Sequence, residues 1–436
     1  MRNEFEYWYP LDLRCSGKDL IGNHLIMCLY NHAAIWEDKS KMPRSMFCNG
    51  YMLLNDMPMS KKTGNFLTLI EACEKYSASG ARMTVADAGD TLDDGNFRES
   101  VANSAIMKQF VFGKWIEEEL AKINLEELDW NNYEETFDEY DKMFDNEMNR
   151  IIKITHQMYA EMKFKLALKF GFHDLQGVRD DYVIFKQNKL NPYLVLKFIE
   201  IQLLLVTPII PHFCEHFYGS HFLPAIMKTK SHREYPELII NARWPKQEKE
   251  YDSTKGKILS FIKYCKHHFI VMYDKMSGHR KEQKMKQKKN TANKKKAQPA
   301  QDQEDSKEKP TESDTAMDVV EKKNFENCII FYANQYPEEQ QTVIKILQQI
   351  GYDDDLNPKD NPVNILKEKF TDKKELGKIM KFATFMNDCV KETRSFDVLD
   401  LETSYNVKEI IEQHTDFIFG DLKLKNIDFK EKNEKC

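Results

Sequence analysis

The residues best suited to chemistry cluster in Pro58-Met59-Ser60-Lys61-Lys62-Thr63-Gly64-Asn65. Two ammonium groups, two hydroxyls and free backbone amides beside a glycine suit a polyphosphate, which wants positive charge and short donors at close range. Lys-Lys-Thr-Gly is also a common turn sequence, so taken alone this loop reads first as a solvated turn. A second cluster lies upstream in Gly17-Lys18-Asp19. Gly17 allows close backbone approach, and Asp19 can accept hydrogen bonds from a vicinal diol such as a ribose, or simply cap a helix. His24 follows on the first turns of that helix, as a further nucleotide contact or as a packing residue. A ribose acceptor followed by a phosphate-type lysine loop is a stronger signal than either alone.

These loops need a scaffold to hold them. Tyr7–Arg14 reads as an extended aromatic run, Ser16–Asp19 as a turn and Leu20–Trp36 as a helix. Met46–Leu54 reads as a buried strand ahead of the lysine loop, and Phe66–Cys73 as the start of the helix behind it. Strand, loop and helix in alternation is the rhythm of a parallel α/β sheet, with ligands at the carboxyl ends of its strands. About a hundred residues are few for such a domain, so the chain opens as if in the middle of one. From 98 to 245 the apolar period becomes helical: Phe144, Met148, Ile151, Ile152, Tyr159, Met162 and Leu166 recur at steps of three and four. Leu194–Val206 is a further apolar helix, broken by Pro208 and Pro211, and the whole reads as an antiparallel bundle. Residues 246–277 read as a helical extension and 278–323, rich in lysine and then in acid, as a disordered linker that tethers or brushes RNA phosphate. Order returns from 324 to 436 as a small α/β domain. It has strand-like runs at Asn327–Ala333, Phe396–Leu401 and Lys423–Phe429, and helical runs at Glu338–Ile350, Asn364–Lys369 and Glu375–Lys391.

Composition narrows the class. The 436 residues are 41% hydrophobic and 31% charged with a net charge of −6, so any nucleic-acid contact comes from local clusters rather than overall charge. Nine cysteines without a C-x-x-C pair argue for reduced thiols, not a zinc ribbon or a disulfide framework. His212, Cys214 and His216 lack a fourth ligand and read as packing, so no protein-bound metal is expected. No signal-peptide core opens the chain, and the apolar stretch Phe198–Phe213 is short and interrupted; a soluble cytoplasmic protein without membrane contact is expected.

Several segments carry a family resemblance. Tyr7–Leu25 resembles the stretch before the KMSKS loop of class I aminoacyl-tRNA synthetases, in its archaeal and eukaryotic cytosolic leucyl-tRNA synthetase form. Asn49–Leu54 with Met59–Asn65 resembles the KMSKS loop itself, and Ala86–Thr91 with Asn96-Phe97 the end of the catalytic domain. Pro208–His216 and Ala242-Arg243-Trp244-Pro245 resemble the helical tRNA-stem domain, and Cys328–Phe429 the C-terminal domain of the eukaryotic leucine enzyme.

The resemblance implies an α/β plus all-α architecture. Residues 1–97 would be the C-terminal part of a Rossmann-like class I catalytic domain, 98–245 a helical anticodon-binding-type domain and 324–436 a tRNA-binding α/β domain. It further implies leucine–tRNA ligase activity with ATP, accompanied by Mg2+, as substrate and leucine tRNA as partner. Lys61 would be catalytic, holding the ATP β- and γ-phosphates as pyrophosphate departs. Ser60, Lys62, Thr63 and Gly64 would shape the loop, Asn65 would cap the helix behind it, and Gly17, Asp19 and His24 would complete the ATP site. Three positions depart from the family pattern: Pro58 replaces the first loop lysine, Lys62 the final serine, and Ser79 the aspartate ahead of Arg82. No His-Ile-Gly-His-like segment and no editing domain occurs in the 436 residues, and the family places both, with most of the leucine pocket, upstream. An incomplete chain inactive alone is therefore expected, the alternative being a non-catalytic tRNA-binding or assembly module.

Overall fold

The structure, a computed structural model, describes residues 1–277, 325–332, 335–353, 356–370, 372–393, 396–401, 405–422 and 424–431. The chain divides into two compact units, Met1–Tyr251 and Asp252–Cys436. The linker expected at 278–323 lies outside the described residues.

The first unit opens with a helix, α1 (Arg2–Trp8), which takes in Tyr7 and Trp8 of the run expected to be extended over Tyr7–Arg14; Tyr9 beyond it is extended. Phe5 stacks on Tyr9 with centroids 4.7 Å apart and on Trp36 at 5.4 Å. One helical turn aligns such i, i+4 rings; an extended chain would separate them. Strand β1 (Arg14–Gly17) then pairs in parallel with β2 (Met46–Asn49), with Gly17 opposite Asn49. The helix expected across Leu20–Trp36 is instead a 3-10 turn at Lys18–Leu20, a π turn at Ile21–Leu25 and α2 (Ile26–Ile35).

The strand expected across Met46–Leu54 is two strands. β2 stops at Asn49 and β3 (Met52–Leu54) begins a separate sheet, ordered β4-β3-β5, with β4 (Met57–Pro58) antiparallel and β5 (Gly95–Phe97) parallel to β3. The break has a steric cause. The 91–93 backbone crosses Gly50 so closely that a Cβ there would lie 2.0 Å from Asp93 O, and Gly50 N–H donates to Thr91 O at 3.0 Å. Helix α3 (Leu69–Ala88) follows, and Leu54, Tyr76, Phe97 and Ala102 form a small core between the sheet and the helices.

The helical part comprises α4 (Glu99–Lys122), α5 (Glu139–Ala160), α6 (Phe164–Leu168), α7 (Leu175–Phe185), α8 (Pro192–Val206), α9 (Pro211–Phe217) and α10 (Leu223–Ile226). The apolar stripe read through Leu166 is interrupted at Met162, whose φ of 57° ends α5 and lets α6 turn back. Helix α8 is buried on every side from Leu194 to Val206, so its three polar side chains need partners. Lys197 Nζ pairs with Asp145 at 2.8 Å, Glu200 with Arg233 at 2.7 Å, and Gln202 Nε2 donates to Phe172 O at 2.9 Å. Around it Phe112 meets Phe172 and Phe198 edge-on, and Phe144 stacks on Tyr182 at 4.2 Å.

In the second unit, helix Ser253–Ser277 packs Phe269 on Phe419 at 4.9 Å. The strands Asn327–Tyr332 and Asn426–Glu431 pair in parallel, with Ile330 opposite Phe429. The amphipathic helix Glu338–Ile350 has the bounds expected, and Gly351, at φ 66°, ends it. With helices Pro362–Lys369 and Lys373–Thr393 it encloses Val343, Leu347, Leu366, Met386 and Val390. The strand-like run at Phe396–Leu401 is instead a 3-10 turn, Phe396–Leu399, that tucks Leu399 into this core. Among the described residues no helix is long and apolar enough to cross a membrane.

Candidate nucleotide site

The lysine loop rises from a pinned base. Between β3 and β4 the chain turns at Asn55 and Asp56, with φ of 51° and 67°, a left-handed pair that these two residue types tolerate. Asp56 Oδ1 accepts from Asn96 Nδ2 at 2.6 Å and from Arg98 Nη2 at 2.7 Å, and Asn55 Oδ1 accepts Glu99 N–H at 3.1 Å. The Arg98 guanidinium holds the Asp56 carboxyl below the usual carboxylate range. β4 is an edge strand, which is where a sheet can accept Pro58.

Beyond Pro58 the loop folds on itself. Ser60 N–H donates to Asn65 O at 2.8 Å, Thr63 Oγ1 to Ser60 O at 3.1 Å, and Gly64 adopts a φ of 72°. Lys61, Lys62, Thr63 and Gly64 are exposed at the tip. Gly64 N–H donates to Lys61 O at 3.4 Å, but among the described residues neither lysine side chain has an ion pair or hydrogen bond.

Asn65 does not cap the following helix. That role falls to Thr68, whose hydroxyl accepts Glu71 N–H at 3.2 Å while Glu71 accepts Thr68 N–H at 2.8 Å, a reciprocal capping box. Thr68 followed three residues on by Glu71 was the readable signal. These hydrogen bonds from Thr68 lower the Glu71 carboxyl.

The second cluster sits at the end of β1. Asp19 is exposed, and its Oδ1 lies 2.6 Å from where a Cβ on Gly17 would stand, so the glycine makes room for the carboxylate. Lys18 Nζ donates to Asp94 Oδ1 at 2.6 Å and lies 4.8 Å from the Tyr51 ring centroid, while the same oxygen accepts Tyr51 N–H at 2.9 Å. Each partner stabilises the other's charge, raising Lys18 and lowering Asp94. The Gly17–Asp19 turn and the start of β3, which leads into the lysine loop, are thus tied to one residue, Asp94. Nothing in the sequence pointed to the link of Lys18 and Tyr51 through Asp94, since the partners stand far apart along the chain. His24 is exposed and hydrogen-bonds Arg14.

A third link runs from α3 to the proline break: Arg82 Nε donates to Ile209 O at 2.7 Å and Nη2 to Pro208 O at 3.0 Å. The neighbouring Ser79 is buried. His212 and His216 are exposed, whereas Cys214 is fully buried and burial pushes its thiol up.

The lysine loop thus offers two exposed ammonium groups on a pinned base, and Asp19 an exposed carboxylate at the end of β1. Comparison with known proteins finds relatives along the whole chain. Residues 2–111 match the family model of tRNA synthetases class I (M), and residues 141–300 that of the anticodon-binding domain of tRNA ligase. The cytoplasmic leucine–tRNA ligase of Pongo abelii is 32% identical over 437 residues, 99% of this chain and 32% of that protein. That of Dictyostelium discoideum is 32% identical over 446 residues, covering 100% and 36%, and that of Saccharomyces cerevisiae 40% identical over 266 residues, covering 61% and 22%. A solved LeuRS–tRNA–LeuAMS ternary complex from Agrobacterium radiobacter K84 is similar with a TM-score of 0.43 and 14% identity, over 54% of this chain and 29% of that one. The chain spans about a third of the length of the relatives that align with all of it. Along its whole length the chain is similar to a C-terminal portion of the leucine–tRNA ligases, class I aminoacyl-tRNA synthetases.

Proposed function

We propose that this chain supplies the ATP-phosphate loop and the tRNA-binding parts of leucine–tRNA ligation. The observation that carries the reading is the exposed Lys61–Lys62 tip on its pinned base, within a chain aligned end to end with leucine–tRNA ligases. In the reaction a leucine carboxylate oxygen bonds the ATP α-phosphorus as the bond to the bridging oxygen breaks. Pyrophosphate leaves and leucyl-adenylate forms. A tRNA ribose hydroxyl then attacks the acyl carbon and AMP departs.

The first step needs charge stabilisation more than it needs a base, because negative charge accumulates on the departing pyrophosphate. Lys61 supplies it at the β- and γ-phosphates, with Lys62 adding charge and Ser60, Thr63 and Gly64 shaping the approach. Mg2+ accompanies the ATP. Asp19 takes the ribose hydroxyls over Gly17, with His24 on the flanking turn. Residues 1–97 act as the C-terminal part of a Rossmann-like catalytic domain. Leucine tRNA lies on 98–245 and 324–436, and the cytoplasm is the site of action, as the relatives' names suggest.

The test is a mobility shift of leucine tRNA transcript by this chain at low salt. A shift that weakens steeply as salt is added supports the reading, because phosphate contacts release counterions. No shift at micromolar protein contradicts the tRNA-binding part.

A second reading, a non-catalytic tRNA-binding or assembly module, is favoured by Pro58 and Lys62, which stand where the family pattern has a lysine and a serine. Pyrophosphate exchange separates the two. Exchange restored by supplying a segment that carries the His-Ile-Gly-His motif supports the ligase; persistent inactivity supports the module.

A further inference from the structure

The side-chain amide of Asn65 sits within reach of three backbone carbonyls: Pro58 O at 3.1 Å, Met57 O at 3.3 Å and Leu54 O at 3.3 Å. The main-chain carbonyl of Asn65 accepts Ser60 N–H at 2.8 Å. One residue therefore gathers the end of β3, both residues of β4 and the first turn of the lysine loop. An amide carries two hydrogens, so the three acceptors share them, and no other side chain on the loop reaches back to β3 or β4 among the described residues. The far end of this hairpin is fixed separately, through Asp56 to Asn96 and Arg98. With the base fixed and Thr68 capping α3, Thr63 Oγ1 bonds only within the loop, to Ser60 O, so among the described residues the side-chain tether from the loop to β3 and β4 is Asn65.

We propose that Asn65 is the positioning residue of the lysine loop: its amide latches the loop to β3 and β4 and so sets where Lys61 and Lys62 stand. This rests on the ATP-loop reading for its consequence, but not for the latch itself. Asn65→Asp keeps the shape, removes both donor hydrogens and sets a carboxylate against three carbonyl oxygens, so the latch opens. Asn65→Ala removes it without adding charge.

The test is hydrogen exchange by mass spectrometry on the intact chain, with and without millimolar MgATP, alongside tryptic cleavage after Lys61 and Lys62. Both variants are expected to speed exchange and cleavage across 57–64 roughly tenfold. Exchange in Leu69–Ala88 and the thermal midpoint should stay at their wild-type values. Equal exchange in wild type and Asn65→Asp overturns the latch. Acceleration that spreads through α3 also overturns it, since that marks a general structural role. MgATP should slow cleavage in the wild type, with several-fold more needed for Asn65→Asp. If MgATP protects neither while the variants still open the loop, the ATP reading fails and the latch stands.

Discussion

Arg82 Nε donates to the carbonyl oxygen of Ile209 across 2.7 Å, and its Nη2 to Pro208 O across 3.0 Å. The proline break between α8 and α9 leaves these carbonyls without helical partners, and a guanidinium fork answers two at once. Because Arg82 lies on α3, directly behind the lysine loop, the same contact ties the loop's supporting helix to the bundle. Arg82→Ala is expected to lower the stability of the first unit by about 1–2 kcal/mol, with Arg82→Lys intermediate. Urea unfolding followed by tryptophan fluorescence measures this, and an unchanged midpoint in Arg82→Ala would remove the tie.

Gly50 is needed for space rather than for an unusual φ. Gly50→Ala places a methyl about where Asp93 O now lies, 2.0 Å from the ideal Cβ. Backbone must move, at a cost of about 1–3 kcal/mol. The shift is expected to loosen the Lys18–Asp94 pair and to raise hydrogen exchange across 89–95. Exchange there at the wild-type rate would show that the crossing tolerates a side chain.

Glu200 gives a pH dependence with a definite sign. Burial against Tyr218 and Tyr235 outweighs its Arg233 partner and raises its carboxyl from 4.5 to about 6. Glu248 raises it further and Lys197 opposes. A raised carboxyl favours the folded state while protonated, so its contribution is full below pH 4.5 and is lost as pH rises through 6. Across that window wild type should lose about 2 kcal/mol relative to Glu200→Gln. Identical pH profiles for the two proteins would contradict the assignment.

Much of the fold was legible because it rests on local signals. Glu338–Ile350 carries its own apolar face and a terminal Gly351, and α8 a run too apolar to face water. The misreadings share a cause: contacts from far along the chain. Met46–Leu54 has a continuous strand pattern, and only the backbone at 91–93 breaks it at Gly50. Tyr7 and Trp8 have strand-like side chains, yet Phe5 finds Trp36 and the segment coils. Phe396–Leu401 alternates like a strand, but Leu399 reaches the second unit's core from a 3-10 turn. At the candidate site Lys61, Lys62, Gly17 and Asp19 were named from residue type alone. The Lys18–Asp94 pair and the latch of Asn65 were not, because a side chain's partner is decided by the fold.

The most direct measurement is leucine-dependent pyrophosphate exchange by this chain combined with a segment that carries the His-Ile-Gly-His motif, comparing Lys61 with Lys61→Ala. The loss of one preorganised charge at the leaving group should slow adenylate formation about a hundred- to a thousand-fold, with leucine affinity unchanged. Exchange at an undiminished rate in Lys61→Ala would contradict the phosphate role of the loop.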